Sequence, residues 1–154
     1  MSKKHSHTKT SRDPECLLCQ ALDRCRERGL RMTKALEDVL RMLIESEKPL
    51  TLGDIADSQQ LTSHADRATV FRLLTKLEKL GIIRRLGLHD RAAYYTMIFP
   101  GEHNDYLVCT ACGRIDRLDI ECPVEELETQ IATQSKFTPL YHELMFFGLC
   151  PNCG

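Results

Sequence analysis

TSHADRATVFRLLTKLEKLG, residues 62–81, is the stretch that decides the fold of the first half of this chain. Ser63 and Asp66 are residue types that cap the start of a helix, and Gly81 is typical of a helix end. Between them, apolar residues at helical spacing predict one buried stripe, formed by Val70, Leu73, Leu77 and Leu80. The segment is therefore predicted to be an amphipathic helix with a basic outer face.

Three more helices are predicted upstream of this stretch. An Asp-Pro pair at 13–14 starts the first, because Asp caps helices and Pro is favoured at their first position, and Gly29 ends it. A second helix runs from about Thr33 with an apolar stripe of its own. Thr51 and Asp54 form a T-x-x-D capping arrangement, which predicts the start of a third helix.

The segment downstream reads as a two-stranded hairpin. IIRRL (82–86) and RAAYYTM (91–97) are the predicted strands, and GLHD (87–90) is the turn. Helices followed by a basic hairpin are typical of a winged helix-turn-helix domain, which we place at residues 13–98. The fourth helix is then expected to enter the major groove of DNA.

Charge is distributed unevenly along the 154 residues. Residues 1–12 carry four basic and no acidic residues, residues 13–95 have a net charge of +1, and residues 96–154 have a net charge of −6. The basic N-terminal tail and the first domain therefore suit a polyanion, and the rest does not. No apolar run reaches membrane-spanning length and no secretory signal is visible, so we expect a cytoplasmic protein without a membrane partner.

Eight cysteines in a reducing compartment favour metal ligands or sensors over disulfides. CTACG (Cys109, Cys112) and CPNCG (Cys150, Cys153) each have C-x-x-C spacing with a trailing glycine, which is typical of a zinc knuckle. Two knuckles supply four thiolates, the closed tetrahedral set of structural Zn²⁺. Neighbouring free thiols or a redox C-x-x-C pair are the alternatives.

Residues 102–154 are expected to form a small α/β domain. Strands flank the first knuckle, a helix covers residues 123–134, and residues 137–150 form a final strand. Glu128 is expected on the solvent side of that helix. A domain this small has a limited core, so a metal that holds it together is expected. The fold class is thus α+β: a winged helix-turn-helix domain followed by a small domain with a four-cysteine zinc site.

Four stretches carry a family resemblance: ERGLRMTKALEDVL (27–40), RATVFRLLTKLEKLGII (67–83), GEHNDYLVCTACGRI (101–115) and HELMFFGLCPNC (142–153). In order and spacing they resemble the ferric uptake regulator family. The resemblance implies a dimeric winged-helix regulator that binds operator DNA when loaded with Fe²⁺, Zn²⁺, Mn²⁺ or another metal. The C-terminal domain would dimerise, and many members of the family hold a structural zinc on four cysteines.

The resemblance also implies a DNA-contacting set in the first domain. Two departures affect it: Leu36 stands where the family usually has Arg, and Phe71 stands where it has Tyr. Phe71 can still touch a thymine methyl group, but it lacks the hydroxyl donor. The expected DNA-binding residues are Arg31, Lys34, Arg67, Thr69, Phe71, Arg72 and Lys76.

A second, regulatory metal site is implied by the same resemblance. His103, Asp105 and His142 match the family's ligands, and Glu125 supplies the fourth, with Glu126 as the alternative. Two imidazoles and two carboxylates suit Zn²⁺, Fe²⁺ or Mn²⁺. The plain alternative is a surface histidine with acidic neighbours. Two histidines of a further family site are replaced here by Asn104 and Tyr106.

The function expected from the sequence is a homodimeric, metal-responsive repressor that binds a double-stranded DNA operator. Neither catalytic residues nor a small-molecule substrate are expected. A peroxide-sensing or thiol-sensing regulator of the same fold is the first alternative. A cysteine-dependent redox enzyme is another, since such an enzyme needs a free low-pKa thiolate. A zinc-stabilised interaction module is a third, against which the helix RATVFRLL argues.

Overall fold

The computed structural model describes residues 13–86, 92–100, 102, 104–138 and 140–154 of the chain, and these residues form five helices and six strands. The chain divides into two compact units, the first ending at Met97 and the second beginning at Ile98. The basic tail (residues 1–12), the predicted wing turn and His103 lie outside the described residues.

In its described residues the first unit contains four helices and a three-stranded antiparallel sheet of order β1-β3-β2. β1 was not predicted, because a two-residue strand is too short to show alternation. It pairs with β3 through Leu50 and Tyr95. The elements are α1 (Pro14–Glu27), α2 (Lys34–Glu45), β1 (Leu50–Thr51), α3 (Leu52–Ala56), α4 (Arg67–Lys79), β2 (Ile83–Leu86) and β3 (Tyr94–Met97).

Most of the predicted helix ends are confirmed. Asp13 caps α1 by accepting a hydrogen bond from the backbone N–H of Glu15, and Thr51 and Asp54 form a reciprocal capping box on α3. Gly29, with φ of +75°, follows α1 in the left-handed region that glycine adopts without strain. The cap of α4 is Asp66 alone.

The helices bury one face each around a common core. In α4 the fully buried residues are Val70, Leu74 and Leu77, so Leu74 occupies the place that the sequence assigned to Leu73. Their spacing of four and three residues follows the inner face of the helix. Leu36, which stands where the family usually has Arg, is also fully buried, so this position contributes to the core of the first unit.

The second unit is built on a three-stranded sheet of order β5-β4-β6, in which β4 is antiparallel to β5 and parallel to β6. The predicted final strand at 137–150 is too long, since only four of its residues pair with β4, and the helix begins two residues later than predicted. The elements are β4 (Asp105–Cys109), β5 (Ile115–Leu118), α5 (Glu125–Ser135) and β6 (Met145–Gly148).

The second unit has a much smaller core than the first. Its buried hydrophobic residues, among those described, are Tyr106, Val108, Cys109 and Ile115, and α5 buries none of its residues. Many large apolar side chains are instead exposed: Leu107, Ile120, Leu127, Ile131, Phe137, Tyr141, Phe146, Phe147 and Leu149. Within the described residues, none of the helices has the length and apolar character needed to cross a membrane.

Candidate metal centre and nucleic-acid interface

Four cysteine sulfurs meet where the sheet of the second unit ends. The parallel pairing of β4 and β6 sets Cys109 opposite Gly148, which brings the two C-x-x-C turns side by side. The Sγ atoms of Cys109, Cys112, Cys150 and Cys153 all lie within 4.8 Å of one another. The two segments predicted to be zinc knuckles are thus gathered into one cluster.

Backbone hydrogen bonds shape each knuckle. The N–H of Gly113 donates to the carbonyl of Cys109 at 2.9 Å, and the N–H of Cys153 donates to the carbonyl of Cys150 at 2.9 Å. Gly113 has φ of +77°, so its lack of a Cβ relieves the first turn. The trailing glycine therefore serves the turn in the first knuckle, as the sequence pattern predicts.

The electrostatics of the cluster favour a thiolate at Cys109. Backbone N–H groups of Cys112 and Cys150 donate to its sulfur and lower the pKa of Cys109 to about 6, with the Cys150 N–H at 3.3 Å from Sγ. Side-chain hydrogen bonds with Cys150 and Cys112 favour the protonated thiol of Cys153 and raise the pKa of Cys153 to about 12. A divalent cation bound to the cluster would instead lower the pKa of Cys153, because a metal ion deprotonates a thiol that coordinates it.

The cluster has the dimensions of a tetrahedral zinc site. With Zn–S bonds of about 2.3 Å, the sulfurs of a four-cysteine site lie about 3.8 Å apart. The Sγ atoms of Cys112 and Cys150 are separated by 3.8 Å. The four residues therefore fit Zn²⁺ in both ligand type and spacing.

The described members of the predicted regulatory set do not form a cluster of metal-binding size. Among the described residues, the four cysteines are the one group of three or more ligand atoms of metal-binding size. Asp105 is buried at the start of β4, Glu125 is exposed at the start of α5, and His142 lies in the segment before β6. His103 lies outside the described residues, so the set stays a prediction.

His142 has two neighbours that the sequence did not assign to it. Its Nδ1 contacts Oε2 of Glu128, and its Nε2 is 3.2 Å from Sγ of Cys122. The expectation that Glu128 faces solvent was wrong, because its position on α5 matches those of the half-buried Val124 and Ala132. A four-residue spacing from Val124 was the signal that could have placed it.

The outer face of α4 carries the predicted DNA-binding side chains. Arg72 and Lys76 are exposed, and Phe71 is 52% exposed, although a large apolar side chain is ordinarily buried. Arg72 donates to Oγ1 of Thr69 at 3.1 Å. Arg67 is paired with Asp57 at 3.7 Å across an exposed surface, where an ion pair contributes little.

The two predicted DNA-binding residues before α4 differ in their surroundings. Arg31 is exposed. Lys34 is held by Asp38 at 3.0 Å, and that hydrogen bond raises the pKa of Lys34. Part of the charge of Lys34 is therefore already balanced within the protein.

Asp38 is a structural residue that the sequence analysis missed. Its carboxylate is 3% exposed and accepts hydrogen bonds from the N–H of Ser63 at 2.8 Å and the hydroxyl of Thr62 at 3.1 Å. Ser63, predicted as a cap of α4, thus binds α2 instead. Burial alone would raise the pKa of Asp38, but hydrogen bonds from Lys34, Ser63 and Thr62 lower it. The apolar stripe of α2 gave no signal for this burial, because residue 38 lies on the other side of the helix from Leu36 and Leu40.

Comparison with known proteins identifies the family to which most of the chain is similar. A family model described as the ferric uptake regulator family matches residues 27–147. The ferric uptake regulation protein of Legionella pneumophila is 31% identical over 130 residues, which cover 83% of this chain and 94% of that protein.

Solved structures of ferric uptake regulators have the same fold as this chain. The ferric uptake regulator of Helicobacter pylori, described with three functional metal-binding sites, superposes with a TM-score of 0.70 at 24% identity and covers 95% of this chain and 97% of that one. The regulator of Francisella tularensis, solved with iron, gives a TM-score of 0.62 at 26% identity and covers 81% and 95%. The predicted fold class, a winged-helix domain followed by a small α/β domain with a cysteine cluster, is confirmed.

Proposed function

Since this chain belongs to the ferric uptake regulator family, whose members are metal-responsive transcription regulators and not enzymes, we propose that it represses metal-homeostasis genes. In this proposal it binds a double-stranded operator as a homodimer, and Zn²⁺ or Fe²⁺ is the sensed metal, with Mn²⁺ as a third candidate. The observation that carries the proposal is the outer face of α4, where Arg72, Lys76 and an exposed Phe71 stand together.

The proposed DNA contacts divide into two kinds. Arg72 and Lys76 reach phosphates, as do Arg31, Lys34 and Arg67, and these contacts fix the position of the protein on the duplex. Thr69 and Phe71 lie on the same helix and contact bases. An apolar contact between Phe71 and a thymine methyl group would distinguish thymine from the other bases. Asp66 caps this helix, so its first turn is held rigid for the groove.

The proposed metals have separate roles. One structural Zn²⁺ is bound by the four cysteines Cys109, Cys112, Cys150 and Cys153. The regulatory metal is bound by His103, Asp105, Glu125 and His142, with Glu126 as the alternative to Glu125. Metal at the regulatory site shifts the population toward the arrangement that binds DNA, because only a ligand with different affinities for two states can shift their balance.

The proposed homodimer explains the exposed apolar surface of the second unit. Large exposed apolar side chains are candidate interaction sites, and the second unit exposes Leu127 and Ile131 on α5 and Phe146 and Phe147 on β6. A unit with so few buried residues gains a core by pairing with a second copy.

His142→Ala tests the regulatory part of this proposal. We expect the variant to keep its cysteine-bound zinc and its fold, to lose one metal equivalent, and to lose metal-dependent operator binding. Metal analysis of protein purified without chelator, together with an operator titration with and without metal, measures both. Gln130→Ala, an exposed change on α5, is the control that should behave like the parent protein.

Two outcomes would contradict this assignment. Full metal-dependent operator binding by both His142→Ala and His103→Ala would place the sensor elsewhere. Glu125→Gln and Glu126→Gln, compared side by side, decide between the two candidate carboxylates: the ligand is the one whose loss lowers metal occupancy.

Arg72→Ala tests the DNA-binding face. Removing one phosphate contact should weaken operator binding and lower the slope of log affinity against log salt by about one unit, with the fold unchanged. Arg117→Ala removes the same charge from the exposed edge of β5 and serves as the matched control. If Arg72→Ala binds the operator as tightly as the parent at every salt concentration, another surface contacts DNA.

A further inference from the structure

Three side chains come together at the N-terminal end of α5. Cys122 lies just before the helix, Glu128 lies one turn inside it, and His142 precedes β6. The imidazole of His142 stands between the other two, with Nδ1 on the carboxylate of Glu128 and Nε2 at 3.2 Å from Sγ of Cys122. All three residues are half-buried.

The contact with Glu128 determines which nitrogen of His142 carries the proton. An ionised carboxylate only accepts hydrogen bonds, so Nδ1 is the donor. In the neutral imidazole Nε2 then holds the lone pair, and that lone pair is directed at Sγ of Cys122. Histidines that bind metals commonly donate their other ring N–H to a carboxylate, which fixes the tautomer and raises the basicity of the ligand nitrogen.

The distance between the two potential ligand atoms also fits a metal ion. With a Zn–N bond of about 2.0 Å and a Zn–S bond of about 2.3 Å, adjacent ligands of a tetrahedral site lie about 3.5 Å apart. Nε2 of His142 and Sγ of Cys122 are separated by 3.2 Å. An opening of a few tenths of an ångström, within ordinary side-chain motion, would admit the ion.

We propose that Cys122 Sγ and His142 Nε2 are adjacent ligands of the regulatory metal, and that Glu128 is the positioning residue of His142. This inference rests on the proposed function in taking His142 as a ligand of that metal, and in a four-coordinate site the thiolate takes the place of one of the two expected carboxylates. Thiolate and imidazole together suit Zn²⁺, whereas Mn²⁺ prefers carboxylate, carbonyl and water oxygens. The regulatory site therefore selects Zn²⁺ over Mn²⁺.

A cobalt titration tests the thiolate ligand directly. Full-length protein with zinc in its cysteine cluster is titrated with Co²⁺, whose absorption includes a sulfur-to-metal charge-transfer band only when a thiolate binds it. The parent protein should show this band as the second metal equivalent binds, and Cys122→Ser should lose it. Cys19→Ser, which removes an exposed thiol from α1, is the matched control and should keep it. Zinc content measured afterwards confirms that the cluster did not exchange.

Chelator competition tests the metal preference and the role of Glu128. Cys122→Ser should lower Zn²⁺ affinity at the second site by more than about tenfold while changing Mn²⁺ affinity much less. Glu128→Gln keeps the shape of the side chain but removes its charge, and it should lower Zn²⁺ affinity by about 10-fold to 100-fold while the cobalt charge-transfer band persists.

The outcomes separate this inference from the proposed function. If the second equivalent gives no charge-transfer band, or if Cys122→Ser keeps full Zn²⁺ affinity while His142→Ala loses metal-dependent operator binding, Cys122 is not a ligand and the proposed function stands. Alkylation of Cys122 at the same rate with and without saturating Zn²⁺ would also overturn the inference, and would indicate a reactive thiol beside an imidazole base. If neither variant changes metal-dependent operator binding, the inference and the regulatory assignment both fail.

Discussion

Cys112→Ser is expected to abolish the stable fold of the second unit. Serine does not replace a thiolate ligand, and structural zinc contributes folding free energy on the order of 10 kcal/mol in small domains. The second unit has few other sources of stability, because four buried hydrophobic residues make up its described core. Removing the metal therefore removes most of what holds β4 and β6 together.

Three measurements check this expectation. Metal analysis should show the loss of one tightly bound zinc per chain, and thermal melting should show the loss of the transition of the second unit. The mass in solution should fall from that of the proposed dimer to that of a monomer. The first unit should keep its helical signal, since it has a large core of its own. Cys19→Ser is the control and should change none of these. A zinc-free Cys112→Ser protein with the parent melting temperature and dimer mass would show that the cluster is not structural.

Asp38→Ala is expected to destabilise the first unit by about 2 kcal/mol, because it removes a buried, charged hydrogen-bond acceptor. The carboxylate accepts from the N–H of Ser63 and the hydroxyl of Thr62, and so joins α2 to the turn before α4. Loss of this link should also weaken operator binding, since the turn sets the position of α4. Denaturant unfolding of the first-unit transition measures the change.

The effect of Asp38 should depend on pH in a defined direction. Its pKa in the folded protein is lower than normal, so its contribution is fully present above the unfolded pKa of about 3.9. That contribution is lost as the pH falls through the lower folded value. The difference in stability between the parent and Asp38→Ala should therefore shrink in acid.

Glu37→Ala is the matched control for this position. Glu37 is the neighbouring acidic residue on α2, and it makes partly exposed ion pairs with Lys34 at 3.8 Å and Arg41 at 3.4 Å. Such pairs are worth up to about 1 kcal/mol. Equal destabilisation by Asp38→Ala and Glu37→Ala would mean that the buried contacts of Asp38 add no more stability than an exposed ion pair.

Local features were readable from the sequence because neighbouring residues determine them. Asp13, Thr51 and Asp66 each cap the helix that follows through hydrogen bonds spanning two or three residues. The two C-x-x-C-Gly segments specify tight turns for the same reason. Membership in one family was equally accessible, since its motifs lie in order along the chain. The four-cysteine cluster follows from pairing these two motifs with the tetrahedral preference of zinc.

Features that join distant segments were decided only by the tertiary structure. The pairing of Leu50 with Tyr95, the shortness of β6, and the link from Asp38 to Ser63 all depend on packing between segments that sequence periodicity does not relate. Leu73 and Leu74 are adjacent and equally apolar, so the sequence does not distinguish them. The rotation of α4 about its axis, set by packing, decided that Leu74 is buried.

The surroundings of His142 show the same division. Its identity as a candidate ligand came from its distance along the chain to Cys150, which a motif records. Its contacts with Cys122 and Glu128, which are 20 and 14 residues away along the chain, depend on how α5 and the segment before it pack, which no local pattern encodes. The sequence by itself determined the family of the protein and the two motifs that form its four-cysteine cluster. The tertiary structure decided which side chains surround the imidazole, because side-chain neighbours across a fold are set by how helices and strands pack and not by their order.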